Sequence, residues 1–457
     1  MITRIHVNGF KSLEDFDVSL HPGLNILVGP NGSGKTNIVL FFDFLSHLVR
    51  GDVSEAVSRV GGAGSVFRRI GDAEFEPTLS AIIYGCRSLG TKRFLYYRYA
   101  FELLFPKEIE TVTFSSQSLS FSFVKDFVGA ADIDNHTEPW DVSVQQTASS
   151  DARDKFKVEI SRPRVASQLF RFMPAPRAAK GKKKPSPSTW FKRMLQGASS
   201  SSETLLLSLP RLMHSVEVMA IVEDMIRGET YNIVPSRARA AEDSAKAPGI
   251  ERDGGGLSAT LYAVKRKKPI YPRYFPYGFY FGRRPMDESV TLRDLLRYLS
   301  LANGSISDID VVNDAFNNQL KVTLKVTSGD YHALLPLAAM SDGTIKWIAL
   351  TTAVITASSI FSIEEPENYL HPLMQAQILD IMREILLKKR QYSFTVMTTH
   401  SETILNNSKP EELIVVSFDD GRTRARRCSN AEQLAEEIKK TGFGLGYYYM
   451  AGAVEDG

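Results

Sequence analysis

"GPNGSGKT" at residues 29–36 is the stretch that decides the fold. It follows a compact apolar run, "LNILVG" (24–29), and precedes "TNIVLFFDFLSHLV" (36–49), so a strand, a glycine-rich turn and a helix stand in succession. In that context the pattern G-x-x-x-x-G-K-[ST] is a phosphate-binding loop. Gly29, Gly32 and Gly34 let backbone N–H groups turn toward phosphates, Lys35 reaches the β- and γ-phosphates, and Thr36 offers its hydroxyl to Mg²⁺. The helix N-terminus adds the positive end of its dipole. Pro30, Asn31, Ser33 and Asn37 complete the expected nucleotide contacts, and the expected ligands are ATP and Mg²⁺.

A second stretch, "SSIFSIEEPENYLHP" (358–372), ends an apolar strand in Glu364, Glu365 and Glu367. Adjacent carboxylates repel unless a cation lies between them. Beside a phosphate loop, the first carboxylate is expected to hold the metal and the second to activate water toward the γ-phosphate. Glu364 takes the metal role with Thr36, and Glu365 the role of base. Upstream, "MSDGTIKWIAL" (340–350) places Ser341 at the N-cap of a helix, followed by Asp342 and Gly343. Downstream, "MTTHS" (397–401) puts His400 just past the next apolar strand.

These pieces, in this order, resemble the heads of ABC-type ATPases, with signature, acidic strand end, D-loop and switch histidine. The resemblance implies that Ser341, Asp342 and Gly343 of one copy contact the nucleotide of another, so a homodimer completes the site and higher homo-oligomers are compatible with it. It also implies catalytic roles for Lys35, Glu365 and His400, and places Asn368 and His371 in the D-loop region. The opening "ITRIHVNGFKSLEDFDVSL", then "SDGT", "EEPENYLHP", "TTHS" and the tail "GFGLGYYYMAGAVEDG", are similar to the SMC, RecF and OLD-like branch, in its compact AAA-21/AAA-15 type. Glu364 stands where that class usually has aspartate. The similarity covers roughly residues 1–50 and 300–457, and no glutamine is assigned to a Q-loop.

The expected fold is an α/β ABC-type head, a P-loop mixed sheet with flanking helices and a large α+β insertion. Its expected division is an ATPase lobe over 1–84, an inserted region over 85–300 and a second lobe over 301–457. Within the insertion, strands are expected at 94–101 and 119–124, loop at 129–155 and helix at 205–227. Loose segments are expected at 161–202, which has ten Lys and Arg and no acidic residue, and at 236–269. Further expectations are a helix at 291–301, strands at 320–327 and 331–335, a helix at 372–389, and strands at 393–398 and 412–418.

The chain has 457 residues, a formal charge of +3 and two cysteines, Cys86 and Cys428, which give neither a disulfide framework nor metal-ligand spacing. No export signal stands at the N-terminus, and the longest apolar-leaning run, 348–363, is interrupted by Thr and Ser. A cytoplasmic protein without a membrane span is expected. The basic segment 162–193 and the aromatic-basic stretch 271–285 could meet nucleic acid, or a phage or other acidic protein; a solvated loop and a core strand account for the same letters.

The resemblance extends to stand-alone ATPase components of bacterial anti-phage systems, of the PARIS (AriA-like), Septu (PtuA-like) or AbiL type. It implies a sensor or regulator that controls a toxic effector, expected to be a nuclease, on a separate chain. OLD-type nucleases continue into a Toprim domain, whereas 57 residues follow His400 here. The alternative is a RecF/SMC-like ATP-dependent DNA clamp for repair. Transport ranks third, since "GFKS" is unlike transporter heads.

Overall fold

In the computed structural model the described residues are 1–71, 74–90, 93–105, 111–133, 140–147, 156–161, 186–196, 205–208, 215–226, 229–267, 292–302, 304–356, 360–389 and 392–454. They form two compact units, each built from segments distant in sequence. The first comprises 1–22, 31–228 and 416–426; the second 23–30, 229–415 and 427–457.

The chain opens with β1 (Ile2–Asn8), β2 (Phe16–Ser19) and β3 (Gly23–Val28), and β3 belongs to the second unit. The first unit continues with β4 (Thr78–Gly90), β5 (Arg93–Leu104), β6 (Thr113–Val124), β7 (Val142–Thr147) and β8 (Phe156–Ile160). They build a seven-stranded sheet in the order β2-β1-β4-β5-β6-β7-β8, antiparallel throughout. Alternation sets its faces: along β5, Leu95, Tyr97, Tyr99, Phe101 and Leu103 are all buried. The helix Lys35–Arg50 adds Phe41 and Phe44, whose rings lie 5.4 and 5.5 Å from that of Phe10. The helix Val216–Ile226 is tied to it by Ser46, whose hydroxyl donates to the Ile226 carbonyl at 2.6 Å.

Arg87 on β4 fixes that same helix. Its guanidinium pairs with Glu223 at 2.6 Å and with Asp224, which is wholly buried and also accepts from the Tyr97 hydroxyl at 3.3 Å.

The second unit adds β9 (Glu229–Tyr231), β10 (Glu242–Asp243), β11 (Ile306–Asp314), β12 (Gln319–Ser328), β13 (Tyr331–Pro336), β14 (Ile360–Glu364), β15 (Phe394–Thr398) and β16 (Leu413–Asp419). Its parallel core runs β16-β3-β15-β14-β9. Such a sheet is covered on its faces, so its strands read as continuous apolar runs. All five residues of β15 are buried. The helices Asp342–Thr356 and Pro372–Lys389 supply Ile345, Ile348, Leu379 and Met382 to the same core as Ile26 and Met397. A smaller antiparallel sheet places β12 between β11 and the pair β10 and β13. β16 turns into β17 (Arg422–Arg427) in the first unit. No helix among the described residues is long and apolar enough to cross a membrane.

Several expectations are corrected. The region 129–155 contains β7, and within 205–227 the described helix is only Val216–Ile226, preceded by a short 3-10 turn at Leu206–Ser208. Residues 236–269, expected to be loose, include β10 and the helix Leu257–Lys265, which buries Leu257 and Leu261. Within 161–202 stands the helix Pro187–Gln196, started by Ser186, whose hydroxyl accepts from Thr189 N at 3.2 Å. Residues 162–185 and the stretch 271–285 lie outside the described residues.

Removing one member of a buried ion pair strands the other charge. Arg87→Ala is expected to lower unfolding free energy by about 3 kcal/mol, measured by chemical denaturation. Tyr97→Phe, which removes one neutral donor, should cost about 1 kcal/mol.

Candidate functional site

In the first unit the loop turns on Gly32 and Gly34, with φ of 79° and 97°, and the helix begins at Lys35 with no side-chain cap on its N–H groups. Both φ values lie in the left-handed region that glycine enters without penalty. Lys35 is buried and its ammonium lies 3.4 Å from the Ser33 hydroxyl, while Thr36 is exposed. Asn37, expected to contact nucleotide, donates to the Ser12 hydroxyl at 2.7 Å.

The other expected residues lie in the second unit, including Gly29 and Pro30, which follow β3 there. Glu364 ends β14 and is 7% exposed. Its carboxylate accepts from Arg252 Nη2, of this same chain, at 3.0 Å. Arg252 sits in the turn between β10 and the helix Leu257–Lys265. Asn232 N donates to the Arg252 carbonyl at 2.7 Å, and Val234 N to that of Asp253 at 2.9 Å.

Glu365 is held differently. Its φ of +42° is unfavourable for a side-chain-bearing residue and persists only where neighbours enforce it. Its N–H donates to the carbonyl and hydroxyl of Thr398 at 3.1 and 3.2 Å, and its carbonyl accepts from Lys346 Nζ at 3.2 Å. The side chain is thereby turned outward, 44% exposed, with one carboxylate oxygen accepting from Asn368 at 2.9 Å and the other 3.8 Å from His400 Nε2. Glu367 completes the frame: one oxygen accepts from Thr399 Oγ1 at 2.9 Å and from His400 N at 2.7 Å, positioning the loop that carries the histidine.

Ser341 is the N-cap it was expected to be. Its hydroxyl accepts from Thr344 N at 3.3 Å, and Asp342 pairs with Arg239, which also donates to the Met340 carbonyl at 3.2 Å. Gly343 lies so close to the chain after the carboxylates that an added Cβ would stand 2.8 Å from the Tyr369 carbonyl. Thus the second unit brings together Glu364, Glu365, His400, Ser341, Asp342 and Gly343, while Asn31 to Asn37 belong to the first.

Arg252, Lys346 and Arg239 escaped the sequence reading. Lys346 left a signal, a lone cation within the apolar helix "TIKWIAL", and its burial pushes its pKa down to about 8 despite the neighbouring Glu367 and Glu365. The Arg252 segment left none, because its placement depends on tertiary pairing.

Two outcomes follow from these charges. A lysine whose folded pKa lies below its unfolded value makes folding tighten as pH rises, because between about 8 and 10.5 only the unfolded chain holds the proton. Stability should therefore gain up to about 1.4 kcal/mol per pH unit in that window, and Lys346→Met should flatten the profile, as read by denaturant titration across pH. Arg252→Ala leaves Glu364 without its guanidinium and should destabilise by about 1–3 kcal/mol, a loss that Glu364→Gln in the same chain should partly reverse.

Two family models match the chain: "AAA ATPase domain" over residues 1–62, and "AAA domain, putative AbiEii toxin, Type IV TA system" over residues 244–406. Among curated proteins, the DNA replication and repair protein RecF of Erwinia tasmaniensis is 46% identical over 46 residues, 10% of this chain and 13% of that relative. The RecF of Corynebacterium jeikeium is 43% identical over 47 residues, 10% of this chain and 11% of its own. The match thus spans a small part of those relatives. Similar solved structures include the SMC head bound to the C-winged helix domain of ScpA, with TM-score 0.45 and 12% identity, covering 93% of this chain and 97% of that one. The SMC head domain from Thermotoga maritima overlays with TM-score 0.40 and 12% identity, covering 93% and 98%. These overlays are loose. With its phosphate loop and these two matched blocks, the chain is similar to the SMC/RecF-like ABC-type ATPases.

Proposed function

We propose that this chain binds ATP with Mg²⁺ and hydrolyses it, with Glu365 as general base. The observation that carries this reading is the clamped, left-handed Glu365, whose carboxylate is presented outward beside His400. A base must stand free to take a proton from water, and both residues are oriented by neighbours that leave their reactive ends accessible. Lys35 and the N–H groups of residues 32–36 bind the phosphates, and His400 meets the γ-phosphate.

The donors expected for a metal are hard oxygens, the Thr36 hydroxyl in the first unit and the Glu364 carboxylate in the second. Among the described residues no set of three His, Cys, Asp or Glu could hold a metal ion. One carboxylate and one hydroxyl suit Mg²⁺, which is commonly bound through few protein oxygens together with substrate phosphates. When bound it would offset the charge of the β- and γ-phosphates. Ser341, Asp342 and Gly343 of a second copy complete the site, so ATP couples turnover to homodimer formation.

At the level of the cell, the reading is a cytoplasmic sensor in anti-phage defence that controls a toxic effector, a nuclease by expectation, on a separate chain. Its support is the matched family description, which names a toxin of a type IV TA system. The second reading, a RecF-like DNA clamp, draws on the RecF stretch.

Glu365→Gln purified with ATP and Mg²⁺ from its own cells, weighed by native mass spectrometry, separates them. The first reading expects a dimer carrying a stoichiometric second protein; a bare dimer carrying DNA supports the clamp; a monomer with ATP bound contradicts the composite site. Lys35→Ala should bind ATP at least about 10-fold more weakly, measured by titration calorimetry.

A further inference from the structure

Three segments far apart in sequence meet behind the phosphate loop, all within the first unit. Thr423, on β17, is wholly buried. The Ser33 carbonyl can only accept, so the 3.1 Å contact between them is donated by Thr423 Oγ1. A hydroxyl has one proton, and the 2.7 Å contact between Thr423 Oγ1 and Ser12 Oγ is therefore donated by Ser12. The Ser12 oxygen in turn accepts from the Asn37 side-chain NH2 group, which only donates, at 2.7 Å. Every proton in the series Asn37, Ser12, Thr423, Ser33 thus points the same way. A backbone bond from Thr423 N to the Ser12 carbonyl, 2.9 Å, holds the hairpin and the "GFKS" turn in register. Gly34 closes the contact: an added Cβ would stand 1.9 Å from Thr423 Oγ1.

We propose that this one-way hydrogen-bond relay is a positioning device for nucleotide binding, with Thr423 as its key residue. A carbonyl free to swing toward a bound phosphate would repel its oxygens. The relay ties down the Ser33 carbonyl and so keeps the loop as an array of N–H donors. Asn37 acts through Ser12 and Thr423, and the clamp comes from β17, which no loop motif includes. This inference rests on the ATP-binding reading above.

The test compares wild type with Thr423→Val, which keeps shape and removes the hydroxyl, with Thr423→Ser, which keeps the hydroxyl, and with Ser12→Ala. A fluorescent ATP analogue with Mg²⁺ reports affinity, and amide hydrogen exchange over residues 31–37 reports the loop. Thr423→Val and Ser12→Ala should weaken binding about fivefold to tenfold, the equivalent of one buried hydrogen bond, and quicken exchange in the loop. Thr423→Ser should match wild type in both. Wild-type affinity in Thr423→Val overturns the relay and leaves the ATP reading intact; a wild-type protein that binds no nucleotide overturns the ATP reading, and the relay's role with it.

Discussion

The peptide unit of Glu365 is gripped from both sides, by Thr398 at its N–H and by Lys346 at its carbonyl. The arrangement of the second unit's site depends on that grip. An L-residue placed at positive φ tends to relax unless both flanking groups are tied. With them tied, the buried strand β14 ends in one carboxylate held inward and the next turned out. Glu364 and Glu365 are thereby separated by backbone geometry as well as by counter-charge, which lets two glutamates stand side by side.

The counter-charges come from different places. Arg252 belongs to a turn pinned by Asn232 and Val234 just after β9, Lys346 to the helix that Ser341 caps, and Arg239 to the C-cap of the short helix Pro235–Ala238. Arg252 holds the Glu364 carboxylate, Lys346 the Glu365 carbonyl, and Arg239 the Asp342 carboxylate at the start of the capped helix. Lys346 is the most constrained of them. Its ammonium lies 5.7 Å from the Tyr369 ring centroid, on the same turn whose Tyr369 carbonyl crowds Gly343. A shift of the capped helix therefore bears directly on the backbone of Glu365, a mechanical path from the Ser341 cap to that residue.

What was legible in the sequence was what local chemistry encodes. Glycines at 32 and 34 announce left-handed backbone, Ser341 announces a cap, and an apolar run ending in acids announces a parallel strand at its functional end. Even the helix at Pro187–Gln196 was legible in retrospect, since Ser186 followed by Pro187 is a helix start that the surrounding Lys- and Pro-rich composition masked. Arg252 and Thr423 were not legible. Each acts on a residue more than a hundred positions away, and nothing in its own neighbourhood distinguishes it from a surface arginine or a strand threonine. The breadth of the seven-stranded sheet was hidden for a related reason: strand pairing across long connections is set by packing, and the "SSQSLSFSF" alternation in β6 reads equally as a surface strand.

We propose Glu365 as the base of an ATP-hydrolysing site. Phosphate release from Mg²⁺ and ATP, followed continuously for wild type and Glu365→Gln at matched nucleotide occupancy, tests it most directly. Steady release is expected from wild type and at least about 100-fold slower release from the glutamine variant, with nucleotide still bound. Equal rates from the two proteins would contradict it.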